Sequence, residues 1–256
     1  MVTDIINNIS SKKKVQNRFQ RFEFKYYLPK REMGQMYGVL LKNHLVRDPF
    51  LEPGQDGYFV NSIYFDSPSL RCYNEKISGM KNRAKLRLRT YGENLDDPQT
   101  MFLEIKRKSD AIIVKDRAFL SADNYKRAIN GEVLSFEKND SRDSKILEEF
   151  TVRQRSYSMM PLVLVRYKRN PLVSRFDNNL RVTFDYDLEA AGAESFTNRR
   201  ALNSVFRDLV VMEIKYNNIL PGWLHKVIQR HELRRVAVSK YCYGIDTIKK
   251  NNQLKY

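Results

Sequence analysis

Apolar and polar residues alternate with a period of two in eight segments of this 256-residue chain. Such alternation is typical of β-strands whose two faces lie in different surroundings. The predicted strands run from Arg21 to Leu28, Tyr58 to Asp66, Ala84 to Tyr91, Met101 to Lys108, Ile112 to Phe119, Leu162 to Arg169, Arg181 to Asp187 and Val210 to Tyr216. Helical spacing predicts helices over Lys30 to His44, Pro68 to Ile77, Ser121 to Ile129, Ser144 to Tyr157, Trp223 to Leu233, and from about Val238 onward.

No long linker and no internal repeat divides these segments, so the sequence predicts a single α+β domain over residues 18–248. Residues 1–17 are rich in Asn, Ser and Lys, and we expect them to form a flexible leader. Residues 249–256 are expected to form a short tail.

Charged side chains fill one face of most predicted strands. These positions are Glu23 and Lys25, then Lys85, Arg87 and Arg89, then Glu104, Lys106 and Lys108, then Lys115 and Arg117, then Arg181, Asp185 and Asp187, and finally Glu213 and Lys215. A solvated outer face would explain any one of these strands. However, cations side by side on neighbouring strands repel one another unless an anion neutralises them. The alternative is a closed barrel whose polar interior binds a chain of phosphates and a divalent metal.

The chain is strongly basic, with 46 Lys and Arg against 30 Asp and Glu, a formal net charge of +16. Most of this excess lies between the predicted leader and tail, which indicates an anionic ligand bound by the folded domain. Nucleic acid, anionic lipid and phosphate-rich small molecules are the candidate classes. The two cysteines, Cys72 and Cys242, are far apart in sequence, which argues against a disulfide framework and a cysteine zinc site.

Other functional classes find little support in the sequence. No apolar run reaches the roughly 18 residues that a membrane-spanning helix needs, so we expect no direct membrane insertion. The first residues show no secretory signal, which predicts a cytoplasmic location. Gly is never followed by Lys, which excludes a Walker A motif. Arg235 stands where a zinc protease would place its second histidine after His231. Asp185 and Asp187 are predicted to be charge partners of cations rather than an acid/base pair.

Eight short motifs follow one another in order between about residue 18 and about residue 245. They are Arg21 to Tyr26, Val60 to Asp66, Lys85 to Tyr91, Glu104 to Lys108, Val165 to Arg169, Arg181 to Asp185, Glu213 to Lys215 and Ser239 to Tyr241. This ordered set resembles the triphosphate tunnel metalloenzyme superfamily. It is more closely similar to the polyphosphate polymerase branch of that superfamily, the VTC (vacuolar transporter chaperone) domain and its bacterial relatives.

The resemblance implies an eight-stranded antiparallel closed β-barrel, the triphosphate tunnel, with peripheral helices. It implies that the catalytic phosphate contacts are Lys25, Arg87, Arg89, Lys106, Arg166, Arg181 and Lys240. Further substrate-binding residues would be Lys85, Lys108, Lys115, Lys215 and Ser239. Glu213 would bind Mn²⁺ or Mg²⁺, and Glu23 and Glu104 would either support the metal or pair with cations of the tunnel.

The predicted function is an ATP-dependent polyphosphate polymerase that transfers the γ-phosphate of ATP to a growing polyphosphate chain. Its expected partners are ATP, polyphosphate and inorganic phosphate, with no nucleic acid. An integral membrane partner, as in the family's eukaryotic complexes, would attach the protein to a membrane. The alternatives are a hydrolase of inorganic or nucleoside triphosphates from the same superfamily, and a non-catalytic module that binds polyphosphate or nucleic acid.

Overall fold

The computed structural model describes residues 21–98, 100–110, 112–135, 141–176 and 179–254; the predicted leader, residues 1–17, lies outside them. The strands are β1 (Arg21–Pro29), β2 (Leu45–Arg47), β3 (Tyr58–Asp66), β4 (Arg83–Tyr91), β5 (Met101–Ser109), β6 (Ile112–Leu120), β7 (Met160–Ser174), β8 (Leu180–Gly192), β9 (Asn203–Ser204) and β10 (Leu209–Asn217). The α-helices are α1 (Met33–Lys42), α2 (Arg71–Ile77), α3 (Ala122–Asn130), α4 (Arg142–Ser156), α5 (Gly222–Arg230) and α6 (Lys240–Lys250). None of the helices in these residues is long and apolar enough to span a membrane.

All eight predicted strands are present, and β2 and β9 are two short additions. The helix predicted over Lys30 to His44 is divided into a 3-10 turn, Lys30–Glu32, and α1. Strands β7 and β8 extend well beyond their predicted ends. Their additional residues lie outside the charged motifs from which the two strands were predicted.

One antiparallel sheet contains all the strands. Eight of them follow the order β1-β10-β8-β7-β3-β4-β5-β6, while β2 pairs with β7 and β9 pairs with β8. Within the described residues, the terminal strands β1 and β6 are not paired with each other. The curled sheet therefore forms an open half-barrel. The predicted closed barrel is therefore wrong. Alternation determines which face a side chain takes, whereas closure depends on the number, tilt and stagger of the strands.

The outer face of the half-barrel is covered by helices. Helix α4 packs on the strands of one half, where the rings of Phe65 and Phe150 lie 5.4 Å apart. On the other half, Leu40 of α1 and Leu224 of α5 are buried in a second cluster with Phe184 of β8. Apolar strand positions contribute to both clusters, and the cluster under α4 continues onto the inner face through Val163 and Val165. The charged positions identified from the sequence lie mainly on the inner face.

Helix α6 packs against the inner face at one end of the half-barrel. The Ser239 hydroxyl caps it by accepting the backbone N–H of Cys242 at 3.4 Å. A Cβ atom at Gly244 would lie 2.8 Å from Val165 and 3.2 Å from Val163, so only glycine allows this close approach. We call this end the helix end; at the opposite end, the open mouth, β3 and β5 begin and β4 and β6 finish.

Candidate functional site

Two groups of charged residues face each other across the inner face. Strands β4, β5 and β6 form the cation wall, defined by Lys85, Arg87, Arg89, Glu104, Lys106, Lys108, Lys115 and Arg117. Strands β1, β10, β8 and β7, with the start of α6, form the carboxylate wall, defined by Glu23, Lys25, Arg169, Asp185, Glu213, Lys215 and Lys240.

Glu104 is the centre of the cation wall. Its side chain is fully buried and forms ion pairs with Arg87, Arg89 at 3.7 Å, Lys115 at 2.7 Å and Arg117 at 2.6 Å. Burial alone would raise the pKa of this carboxyl, but the four cations outweigh burial and hold the pKa well below its usual range. Both carboxylate oxygens are engaged, so Glu104 is a charge partner of the basic side chains.

Two lysines of the cation wall are poorly stabilised as ammonium ions. Burial lowers the pKa of Lys115 to about 7, even though Glu104 favours its charged form, and Arg87 and Arg89 add repulsion. Burial likewise lowers the pKa of Lys106 to about 8, with repulsion from Lys25 and Arg87. A bound anion would restore the charge on both, so the wall is electrostatically incomplete without one.

Hydroxyl groups orient the basic side chains of the cation wall. Arg87 donates from Nη1 to the Tyr64 Oη at 2.9 Å, and Arg89 donates from Nε to the Ser62 Oγ at 3.0 Å. Burial opposes ionisation of the Tyr64 phenol, but Arg87 and Arg89 outweigh it and lower its pKa to about 8. The guanidinium groups are therefore held in fixed orientations, which suits bidentate binding of phosphate oxygens.

The carboxylate wall pairs its charges more evenly. Asp185 accepts two hydrogen bonds from Arg169, at 2.6 and 2.7 Å, and contacts the Lys240 Nζ at 2.6 Å. The Glu213 Oε1 lies 2.6 Å from the Lys215 Nζ. Burial would raise the pKa of Glu213, but Lys215 and the other nearby cations lower it well below its usual range. These carboxylates are thus ionised, as predicted for Asp185 as a charge partner.

Glu23 and Lys25 connect the two walls. The Lys25 Nζ lies 2.8 Å from the Glu23 Oε1, and the Lys106 Nζ approaches the same oxygen at 3.9 Å from the opposite wall. Burial lowers the pKa of Lys25, but Glu213 and Glu23 raise it above its usual value. One carboxylate therefore contacts cations from β1 and β5 across the interior of the half-barrel.

The structure brings most of the predicted site residues together on the inner face. They are Glu23, Lys25, Lys85, Arg87, Arg89, Glu104, Lys106, Lys108, Lys115, Glu213, Lys215, Ser239 and Lys240. Lys85 belongs with the start of α6, because its Nζ lies 3.2 Å from the Ser239 Oγ. Arg181 lies towards the open mouth, where it is paired with the buried Asp48 at 2.7 Å.

Arg166 does not join this group. It pairs with Asn61 across the sheet and lies on the outer face, where its guanidinium carbon is 4.2 Å from the Phe59 ring centroid. Arg169, three residues later, takes the inner position beside Asp185. The motif Val165 to Arg169 contains both arginines, and only its pairing register with β3 shows which one faces inward.

The sequence interpretation also omitted Arg117, Tyr64 and Asp185 from the site. Arg117 shares a face with Lys115, so strand alternation could have assigned it. Tyr64 lies among apolar residues of a buried strand, and no sequence signal separates it from core aromatics. Its role follows from the cross-strand pairing of Tyr64 with Arg87.

The carboxylate wall fits a divalent metal that phosphate oxygens help to bind. Among the described residues, no three His, Cys, Asp or Glu side chains are arranged as a metal site. Mg²⁺ is commonly held by one or two carboxylates together with substrate phosphates. Glu213 and Glu23 lie on adjacent strands, close enough for the charge of Glu213 to oppose ionisation of Glu23. These two oxygen donors match such a metal, whereas Glu104 is occupied by cations.

Comparison of the chain with known proteins gives one family and a few distant folds. No curated protein sequence matches the chain. Its structure is similar to that of a candidate adenylate cyclase from Bacillus halodurans, with a TM-score of 0.48 and 11% identity, covering 85% of this chain and 92% of that one. It is also similar to the Mimivirus capping enzyme triphosphatase, with a TM-score of 0.34 and 7% identity, covering 90% and 92% of the two chains.

The family model for the VTC domain matches residues 20–249. This match spans all the strands and helices of the half-barrel apart from the last residue of α6. It confirms the family predicted from the ordered charged motifs. The chain belongs to the VTC domain family.

Proposed function

We propose that this protein is a divalent-metal-dependent phosphotransferase that moves the γ-phosphate of ATP onto the end of a growing polyphosphate chain. One observation carries the proposal: the cation wall contains seven basic side chains and a single carboxylate, Glu104, which pairs with four of them. Such a surface is stabilised when a polyanion binds it, and a chain of phosphates matches its length and charge density.

The chain's own residues supply what phosphoryl transfer needs most, which is positioning and stabilisation of charge on the transferred group. Arg87 and Arg89 are held by hydroxyl groups and can each bind two phosphate oxygens. Lys106 and Lys115 supply point charges that do not fix one orientation, which suits a chain that must advance. The acceptor is a phosphate oxyanion, so no strong general base is required.

Glu213, supported by Glu23, would hold Mn²⁺ or Mg²⁺. When bound there, the metal would polarise phosphate oxygens and withdraw charge from the transferred group. Lys215 and Lys25 hold these two carboxylates in their ionised forms, as metal binding requires.

Hydrolysis of a triphosphate is the second candidate function. The open side of the half-barrel, between β1 and β6, favours it because water can reach the inner face there. Polymerisation instead requires that the acceptor phosphate outcompete water, which the density of cations along the wall supports.

Product analysis tests the proposal. Purified protein is incubated with ATP and Mn²⁺ or Mg²⁺, and ADP, free phosphate and polyphosphate are resolved; parallel reactions contain inorganic triphosphate or a chelator. ADP with lengthening phosphate chains, abolished by the chelator, supports the polymerase. Free phosphate without chains would replace it by the hydrolase. Tight polyphosphate binding without turnover would contradict both enzymes and leave a binding module.

A further inference from the structure

We propose that four aromatic rings at the open mouth form a stacking platform for the base of a nucleoside triphosphate. The platform consists of Tyr58, Tyr91, Phe102 and Phe119. It rests on the proposed function only in that the same cation wall receives the triphosphate. It adds a site for the nucleoside and assigns the mouth at which the nucleotide enters.

The four rings form a continuous row across neighbouring strands. Ring centroids are 5.7 Å apart for Tyr58 and Tyr91, 6.1 Å for Tyr91 and Phe102, and 6.3 Å for Phe102 and Phe119. They come from β3, β4, β5 and β6 in sheet order, each at the strand end that borders the open mouth. The row therefore follows the rim on one side of the half-barrel.

The outer part of this row is accessible. The Phe119 side chain is 58% exposed although it lies on the charged inner face. Phe102 is only half-buried, and neither ring belongs to the two buried apolar clusters. Core packing therefore does not account for these two phenylalanines, whereas a flat apolar ligand would cover them.

Arg117 links the platform to the phosphate-binding wall. Its guanidinium carbon lies 4.5 Å from the Phe102 ring centroid, and its Nη2 donates to the Tyr91 hydroxyl at 2.6 Å. The same group is paired with Glu104. This arginine therefore stands between the aromatic row and the interior cations, where the first phosphate after the ribose would lie.

The spacing along β6 matches a nucleotide. Phe119, Arg117 and Lys115 occupy successive inner-face positions, so the ring and the lysine are about 13 Å apart along the strand. That distance accommodates a base over the ring, a ribose, and phosphates reaching Arg117 and Lys115. At the other end of the half-barrel, α6 packs against Val163 and Val165, so the bulky base enters at the open mouth.

Stacking on aromatic rings tolerates any base, because every base has a π-face. The platform therefore recognises nucleoside triphosphates as a class, with purines favoured by their larger area and little discrimination between ATP and GTP. Removing one stacking ring typically weakens binding roughly tenfold.

Calorimetric binding of ATP and of inorganic triphosphate, both with Mg²⁺, tests the platform. Phe119→Ala should weaken ATP binding roughly tenfold and leave triphosphate binding unchanged, while Phe119→Tyr keeps the ring and the wild-type affinity. Phe176→Ala is the matched control, because Phe176 is 74% exposed and packs against His44 outside the platform. It should alter neither affinity.

The result is independent of turnover. If Phe119→Ala weakens both ligands equally, or leaves ATP binding unchanged, the platform is wrong even when the protein makes polyphosphate. A selective loss of ATP affinity supports the platform even when no polyphosphate forms. Thermal unfolding of the Phe119→Ala variant confirms that it is folded before its binding is compared.

Discussion

The two walls of the half-barrel follow the same alternation of charged and apolar residues but balance their charges differently. On the cation wall, Glu104 is the single carboxylate among seven basic side chains, and four of these contact its two oxygens. On the carboxylate wall, four basic side chains share Glu23, Asp185 and Glu213, and Glu213 meets Lys215 through one oxygen. The first wall needs an anion, while the second retains carboxylate oxygens that can meet a metal.

Under the proposed function, charge ratio rather than residue type would separate phosphate binding from metal binding on one continuous sheet. Glu104 and Glu213 are both buried, ionised carboxylates on inner strand positions. Their neighbours differ: Glu104 pairs with four basic side chains, whereas under the proposed function Glu213 would bind a metal ion. Substitutions of Glu104 and of Glu213 therefore test whether the two carboxylates have different roles.

The largest effect is expected for Glu104→Gln. The four basic groups around this buried carboxylate would lose their shared counter-charge, so the free energy of unfolding should fall by about 3–5 kcal/mol in the absence of anions. Saturating triphosphate should recover part of the loss, because it binds only the native state. Urea unfolding with and without triphosphate measures both effects.

Glu149→Gln is the matched control for this substitution. Glu149 also pairs with two arginines, Arg107 and Arg153, but it lies on the outer surface with 29% of its side chain exposed. Its loss should cost about 1 kcal/mol or less. Equal destabilisation by the two substitutions would show that Glu104 is no more than one ion-pair partner among many.

Glu213→Gln should produce the next largest effect, this time on turnover. The amide cannot replace a carboxylate at a metal, so the rate should fall roughly 100-fold while polyphosphate affinity changes by a few-fold at most. Glu23→Gln should give a smaller loss, since Glu23 is the supporting ligand. Steady-state rates across a Mn²⁺ titration provide the measurement, and unchanged turnover of Glu213→Gln would remove the metal assignment.

Arg169→Ala and Arg166→Ala compare the two faces of one strand. Arg169 is on the inner face, and its loss should weaken triphosphate binding about tenfold. That factor corresponds to the free energy of one charged hydrogen bond. Arg166 lies over the Phe59 ring on the outer face, so its loss should leave the affinity within twofold. Competition binding with labelled polyphosphate distinguishes them, and the opposite ranking would mean that the register of β7 is incorrect.

These two arginines show what sequence can and cannot predict here. The period of two predicted every main strand and the charged inner face, because each β-strand alternates its side chains regardless of its neighbours. It could not choose Arg169 over Arg166, because strand β7 is charged at positions of both parities and its pairing with β3 decides the face.

Closure of the sheet was beyond the sequence pattern for the same reason. Pairing of β1 with β6 would join residues far apart in the chain, and its geometry depends on the tilt and stagger of all the strands between them. The role of Glu104 was open in the sequence as either metal support or charge partner. Only the convergence of side chains from β4 and β6 on its two oxygens assigns it to the basic groups.

The smallest expected effect is a pH dependence of ATP binding that comes from Lys115. Burial lowers the pKa of this lysine to about 7 in the free protein, and a bound phosphate favours the ammonium form. Below pH 7 the lysine is already charged, whereas above it binding must take up a proton. Affinity should therefore decrease by about a few-fold in total between pH 7 and 9, while the terminal phosphate of ATP stays ionised.

Proton uptake distinguishes this effect from a general loss of positive charge. Calorimetry of ATP binding in buffers with different ionisation heats should show uptake of up to one proton at pH 8. Lys115→Arg keeps a permanent charge at the same position. Its proton uptake on ATP binding should therefore be smaller, and its affinity for ATP should depend less on pH. Equal uptake by the wild-type protein and this variant would mean that the titrating group lies elsewhere. Lys106, whose pKa burial lowers to about 8 on the same wall, would then be the group to test next, because it titrates in the same pH range.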